Sequence, residues 1–440
     1  MPRRFLLDIS PLRYDRSYRW LWLGQLISSA GRQITLIALP YQLYRLTGSA
    51  LALGGLAAVT LIGLVIFSIP AGSLADAVDR RRLLIVTQLG LAGTSLALAG
   101  IALLDRPPVA IIYAVAFIAA AISSVDHPTR RATMSRLVAP ERLPAALVLD
   151  QASFQTSSIV GPAVGGALIA AAGVPIAFLI DALTFGAALA AVVILPALPP
   201  IGGGVRPGLS SVVEGFRHVR RVPVILASFV VDLVAMVFGL PTALFPILAL
   251  TTYGGDATTL GLLTAAPAVG ALIGALTSGW VSHVRRQGRA IIVAVALWGV
   301  AITLFGIFVT WLPLALFFLA IAGAADVISA VFRSALIQLA TPDALRGRLS
   351  SLHVLVVTGG PRLGDIESAG VAAFAGAQVS AIVGGVLCLV GLAAVAIGLP
   401  ELDRYTVEPF RPVRVSSAGD SAPAEVEPKP EPEPGPGPAA

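Results

Sequence analysis

The sequence predicts an all-α membrane protein: twelve transmembrane helices in two pseudo-symmetric six-helix bundles. Three observations predict it. Charged residues are 12% of the 440 and apolar ones 56%, against about 25% charged in soluble domains, so the chain lacks the charge to cover a globule of its size. Apolar runs long enough to cross a bilayer, about 20 residues each, recur twelve times. Arginine falls in every second gap between them, at Arg3–Arg19, Arg80–Arg82, Arg130–Arg142, Arg206–Arg221, Arg285–Arg289 and Arg333–Arg348, while the alternate gaps hold only Arg45 and Arg106. Basic loops stay cytoplasmic, so both termini are expected inside.

Taken in order, residues 1–19 are polar and basic with no small-residue cleavage site, and read as a cytoplasmic segment ahead of a first span that acts as its own insertion signal. The first bundle, 20–195, holds spans at 20–44, 50–75, 83–104, 108–132, 144–172 and 174–195. The linker, 196–222, opens with Pro196, Pro199, Pro200 and Gly202–Gly204. Leu209, Val212, Val213, Phe216 and Val219 then recur at helical spacing beside Arg217, Arg220 and Arg221, the pattern of an interfacial amphipathic helix. The second bundle, 223–399, holds spans at 223–250, 257–282, 289–310, 312–336, 348–373 and 378–399. From 400 to 440 the chain changes character. Pro, Glu and Gly alternate over 420–438 and cannot build a packed core, so a disordered cytoplasmic tail is expected.

The halves repeat. Arg131-Ala-Thr-Met-Ser-Arg-Leu-Val-Ala-Pro-Glu-Arg-Leu143 lies over Arg333-Ser-Ala-Leu-Ile-Gln-Leu-Ala-Thr-Pro-Asp-Ala-Leu345 at a constant offset of 202. Each copy follows the fourth span of its half, and Gly72…Arg82 likewise answers Gly279…Arg289. Duplicated bundles place a site near mid-membrane between them.

Charges at membrane depth are expensive and point to function. Arg32 lies about twelve residues into the first span and Asp232 about nine into the seventh. The repeat puts them at nearly one place in the two halves with opposite signs, so they are expected to face the cavity as a pair, either a proton site or a permanent structural one. The eleventh span carries Gly359-Gly-Pro-Arg362-Leu-Gly-Asp365-Ile-Glu367, which reads as a break with a hydrated, cavity-facing segment. Arg362 and Asp365 stand three apart and share a face. Asp326 is a further proton-site candidate, with Arg333 as the alternative partner. Asp181 suits a structural hydrogen bond, and Asp126 a partner among the Arg80–Arg82 or Arg130–Arg131 clusters. Trp20, Trp22, Trp280, Trp298 and Trp311 are expected in an interfacial belt, and Tyr41, Tyr44 and Phe245 at the cavity's outer end.

Other functions lack their residues. Cys388 stands alone inside an apolar run, so neither a disulfide nor a thiolate metal site is possible. The four histidines are dispersed, giving no metal centre. The basic clusters have no interleaved aromatic platform for nucleic acid. No phosphate-binding Gly-x-x-x-x-Gly-Lys-Ser/Thr loop is present to take ATP, no hydrolytic residue set appears, and no cofactor is expected.

Two motifs remain. The turn after the second span reads Gly72-Ser-Leu-Ala-Asp76-Ala-Val-Asp79-Arg80-Arg81-Arg82. The fifth span holds Gly161-Pro162-Ala-Val-Gly165-Gly166, a kink with a bare packing face. The first resembles the signature loop of the major facilitator superfamily: Gly72, Asp76, Arg80 and Arg81 match, while Ala77 and Asp79 replace a basic residue and a glycine. The second resembles the core of that family's antiporter motif, with Ser157 in place of a further glycine. With Pro128-Thr-Arg-Arg-Ala, Glu214-Gly-Phe-Arg-His-Val-Arg-Arg-Val-Pro223 and Gly359…Asp365, the chain is similar to the enterobactin-exporter-like branch over about residues 15–400. The resemblance implies the major facilitator fold and a monomer that exports a small amphiphilic molecule, siderophore or drug, in exchange for protons. It also implies a cytoplasmic gate at Gly72–Arg81 and a cavity built from Arg32, Asp232, Asp326, Arg362, Asp365 and Glu367. An importer or a non-transporting receptor is the alternative. Arg outnumbers Lys 29 to 1, which suggests a GC-rich bacterium and its inner membrane.

Overall fold

The computed structural model describes residues 8–199, 216–341 and 346–406. The tail from 407, the linker positions Leu209, Val212 and Val213, and the side chains of Gly72 and Asp76 lie outside the described residues. The principal helices are α1 Arg16–Thr47, α2 Ala50–Ala77, α3 Arg80–Ala102, α4 Val109–Leu137, α5 Leu143–Ala172 and α6 Val174–Val193. They continue as α7 Pro223–Phe238, α8 Leu244–Thr251, α9 Ala257–Thr277, α10 Gln287–Ile307, α11 Leu312–Ala340, α12 Arg346–Ala375 and α13 Ala377–Gly398. No strand occurs among the described residues.

Among those residues nine helices are long and apolar enough to cross a bilayer. The set omits α1 and α12, which carry Arg32 and the Arg362–Glu367 charges, and the interrupted α7–α8. The surface is inverted relative to a water-soluble protein. Leu183, Leu276, Phe374 and Ile397 point outward, whereas Gln88, Asp126, Asp181, Asp232 and Arg333 are buried. Helices close their own backbone hydrogen bonds, so they can present an apolar face to hydrocarbon without cost. The chain is a multi-pass membrane protein.

The helices pack in two groups. In the first, α1 lies against α5 and α6, α2 against α4, and α3 against α4 and α6. In the second, α11 lies against α9 and α10, α13 against α10 and α12, and α7 against α12 and α13. The groups join chiefly through α5 with α9 and α2 with α12, and α1 also touches α8 and α9. Corresponding hairpins use one device. Gly173 alone separates α5 from α6 with φ +83°, and Gly376 alone separates α12 from α13 with φ +88°. That left-handed region costs a side-chain-bearing residue energy. Outside the spans, Arg142 grips both carboxylate oxygens of Asp15 at 2.9 Å, and this hydrogen bonding raises its pKa.

Several expectations need correction. The seventh span is not one helix: α7 stops at Phe238 and α8 starts at Leu244. Gly239-Leu-Pro241 explains the stop, because proline supplies no N–H and clashes with a preceding helical turn. The eleventh span, expected to break at Gly359-Gly-Pro361, runs helical from Arg346 to Ala375 with Pro361 inside. Trp298 is no belt residue. It is 1% exposed, and its indole Nε1 donates to the Gly239 carbonyl at 2.7 Å. Trp20, Trp280 and Trp311 do face outward. Phe245, expected at the cavity's outer end, is buried edge-on against Phe305.

Candidate functional site

Each helical group holds its own charged network. In the first, Arg32 of α1 donates through Nη1 to His127 Nε2 at 2.8 Å, and its Nη2 lies 4.0 Å from Asp126 Oδ2. Accepting that bond makes His127 the neutral tautomer with its proton on Nδ1. Asp126 is fully buried. It accepts from Thr87 at 2.8 Å and Gln88 at 2.7 Å, both on α3, and pairs with Arg130 one turn further along α4. Arg32 also lies over the Phe185 ring.

In the second group Arg333 of α11 is buried between two carboxylates. Its Nη2 stands 2.9 Å from Asp232 Oδ1 on α7 and 3.7 Å from Asp326 Oδ1 on its own helix. His353 of α12 approaches Asp232 Oδ2 with Nδ1 at 3.8 Å. Arg32 and Asp232 are therefore not paired with each other. A shared register gave them equal depth, but depth alone does not choose a partner, and each finds an opposite charge within its own group. Arg333, read as part of a repeated loop, sits two turns beyond Asp326. That heptad spacing puts both on one face of α11 and was visible in the sequence. Nothing local in the sequence signalled His127 or His353.

The third cluster braces the helix break. Asp365 Oδ1 accepts from the Ala243 N–H at 2.9 Å and from the Thr242 hydroxyl, and Arg362 Nη1 lies 3.4 Å from Oδ2. The expected Arg362–Asp365 contact is present, and it serves the gap between α7 and α8 as well as its own helix. Glu367 is partly exposed and forms no ion pair among the described residues. Asp181 accepts from Thr35 at 2.6 Å and Ser95 at 2.7 Å, holding α6 to α1 and α3.

At the Gly72–Arg82 turn, Asp79 caps α3. Its Oδ1 accepts from the Arg81 and Arg82 N–H groups at 2.9 and 3.2 Å, and its Oδ2 from Leu198 N–H at 3.0 Å. Arg80 donates to the Ala132 carbonyl at 3.0 Å and Arg81 to Val193 O at 2.7 Å. The turn thus ties α2–α3 to α4 and to the end of α6. The substitution of Asp79 for a glycine becomes intelligible as an N-cap.

The small residues of α5 face two neighbours. A Cβ on Gly161 would meet Gln33 of α1 at 2.4 Å, and one on Gly165 would meet Ile34 and Ile37 of the same helix. A Cβ on Gly166 would stand 2.6 Å from the Ala257 carbonyl and 2.9 Å from Gly261 Cα on α9. Close backbone approach therefore joins the two groups at their Arg-poor ends. Tyr41 adds a hydrogen bond to Gly255 O at 3.3 Å, and Gly54 of α2 faces Ala369 of α12. Beyond this contact lies a recess of about 650 Å³ lined by Tyr44, Ser49, Thr251 and Gln378. Three charges at mid-depth keep accessible side-chain surface, Arg32 (24%), Asp326 (33%) and Arg362 (38%). No cluster of metal-binding side chains occurs among the described residues.

A family model described as a transmembrane secretion effector matches residues 8–419. The chain is 30% identical over 418 residues to the enterobactin exporter EntS of Citrobacter koseri, covering 92% of this chain and 97% of that protein. Identity and coverage are the same for EntS of Shigella boydii. Among solved structures, a bacterial homologue of the human lysosomal transporter Spinster, inward-facing and unoccupied, matches with a TM-score of 0.71 at 13% identity, covering 92% of this chain and 100% of that one. A bacterial homologue of the iron transporter ferroportin, also inward-facing, matches at 0.67 and 14%, covering 88% and 98%.

Proposed function

Given that the chain belongs to the transmembrane secretion effector family and is a transporter of the major facilitator type, we propose that it expels a small amphiphilic organic molecule in exchange for protons, by alternating access. The supporting observation is the placement of contacts and charges. The two groups meet through backbone at Gly166 and Gly261, at the Arg-poor end, while mid-depth charges on both groups keep accessible surface. We read these charges as lining a cavity that opens toward the basic loops. By the positive-inside rule those loops face the cytoplasm, from which an exporter loads.

In this reading the chain crosses a bacterial inner membrane twelve times as a monomer with both termini inside. Bundles 20–195 and 223–399 are the rocking units, joined by 196–222. Gly72, Asp76, Arg80 and Arg81 form the cytoplasmic gate that holds the bundles when the cavity opens outward. Gly161, Pro162, Gly165 and Gly166 make the face on which α5 turns. Arg32, Asp232, Asp326, Arg362, Asp365 and Glu367 bind substrate and proton. Cations on both groups and a carboxylate on the second suit a molecule with an ionisable polar rim and an apolar body. The relatives named for enterobactin export favour a siderophore over a cationic drug. Proteoliposomes with enterobactin as the probe test this. An imposed proton gradient should drive its transport, Asp76→Asn should slow cycling with binding intact, and Arg32→Gln should weaken binding. Transport that ignores the gradient would refute the coupling.

A further inference from the structure

We infer that Asp232, Arg333 and Asp326 form a single-proton site in the second bundle, with one guanidinium shared between two carboxylates. The inference names the coupling group within the transport reading and rests on it. Asp232 and Arg333 are each 1% exposed. Two carboxylates against one guanidinium leave one negative charge in excess at membrane depth, where an uncompensated charge is costly. The other titratable group facing them among the described residues is His353 of α12, in its neutral form an acceptor or donor but no counter-charge.

Hydrogen bonding is incomplete in the same place. Beyond the 2.9 Å ion-pair contact of Arg333 with Asp232 Oδ1, Asp232 Oδ2, Asp326 Oδ1, Arg333 Nε and the hydroxyl of the adjacent buried Ser228 make no hydrogen bond to another protein group. A proton on one carboxyl supplies such a network with both the balancing charge and a donor. Asp326 is its entry point, because it alone of the three keeps accessible side-chain surface. Arg333 then lies where the distances put it, nearer to Asp232. When Asp326 releases its proton to the cavity, the guanidinium is drawn toward it, and the contact between α11 and α7 loosens. A proton leaves Asp326 for water or substrate, and no other bond changes.

Infrared spectroscopy of the full chain in lipid nanodiscs tests this without a substrate. The carbonyl stretch of a protonated carboxyl is followed as pH is varied. The wild type should show an exchangeable carboxyl band additional to any from Asp181 and Glu367, which have no ion pair among the described residues. Asp326→Asn should abolish it. Asp232→Asn should abolish it too, because one carboxylate against one guanidinium needs no proton. Both substitutions keep shape, and retained helical content by circular dichroism confirms folding. A band that survives Asp232→Asn, is absent from the wild type, or disappears on adding sodium ion overturns the site. Failure of wild-type proteoliposomes to transport would instead sink the transport reading and leave the infrared result standing.

Discussion

Asp365 and Trp298 repair one defect. The break between α7 and α8 frees the Gly239 carbonyl and the Ala243 N–H, and membrane interiors offer no water to satisfy them. Trp298 donates to the first and Asp365 accepts from the second. Interhelical hydrogen bonds of this kind contribute about 0.6 kcal/mol on average and up to ~2. Trp298→Phe should therefore lower stability by roughly 1 kcal/mol, and Asp365→Ala by more because Arg362 also loses its partner. Thermal unfolding in detergent checks both, and unchanged melting would contradict the bracing role. The sequence displayed Gly239-Leu-Pro241 but not what holds it, since the partners lie 59 and 122 residues further on. Charged positions at membrane depth were readable one by one. Their pairing was not, because an apolar surround raises the value of any opposite charge within reach, and reach is set by helix rotation. Asp126 met Arg130, in one of the two arginine clusters expected to hold its partner, whereas Arg32 and Asp232 met other partners.

Helices are the scale at which sequence reads best here. Spans α2 to α6, α9 to α11 and α13 follow apolar run length, because hydrocarbon thickness fixes how many residues a crossing needs. Interruption reads poorly. Pro361 lies inside α12 and Pro162 inside α5 without ending either, yet the segment at Pro241 is broken. Neighbouring helices decide whether a freed carbonyl is tolerated. The α5–α9 contact makes a prediction of its own. Gly166→Leu introduces a side chain where a Cβ already meets backbone at 2.6 Å, so it should force the Arg-poor ends apart. Cysteines at Ala170 and Thr258, added to a chain whose one native cysteine, Cys388, is buried, should cross-link several-fold less in that variant. Gly100→Ala, where a Cβ meets nothing within 4 Å, should leave the yield unchanged. Equal yields in all three would mean that the glycines do not set this contact.

Across the whole molecule, a closed end and an open end follow from where small residues and where charges fall. The glycines of α5 and α9 let one end shut by backbone contact, while Arg32 and Arg362 keep accessible surface at mid-depth. Alternating access requires that these ends exchange roles. Spin labels at Leu147 of α5 and Leu276 of α9 report the Arg-rich end, and labels at Ala170 and Thr258 the Arg-poor end. Dipolar distance measurements in nanodiscs at low and high pH test the exchange. The account predicts opposite changes, with the Leu147–Leu276 distance shortening in the population whose Ala170–Thr258 distance lengthens. Distances that stay fixed, or that lengthen together, would contradict it.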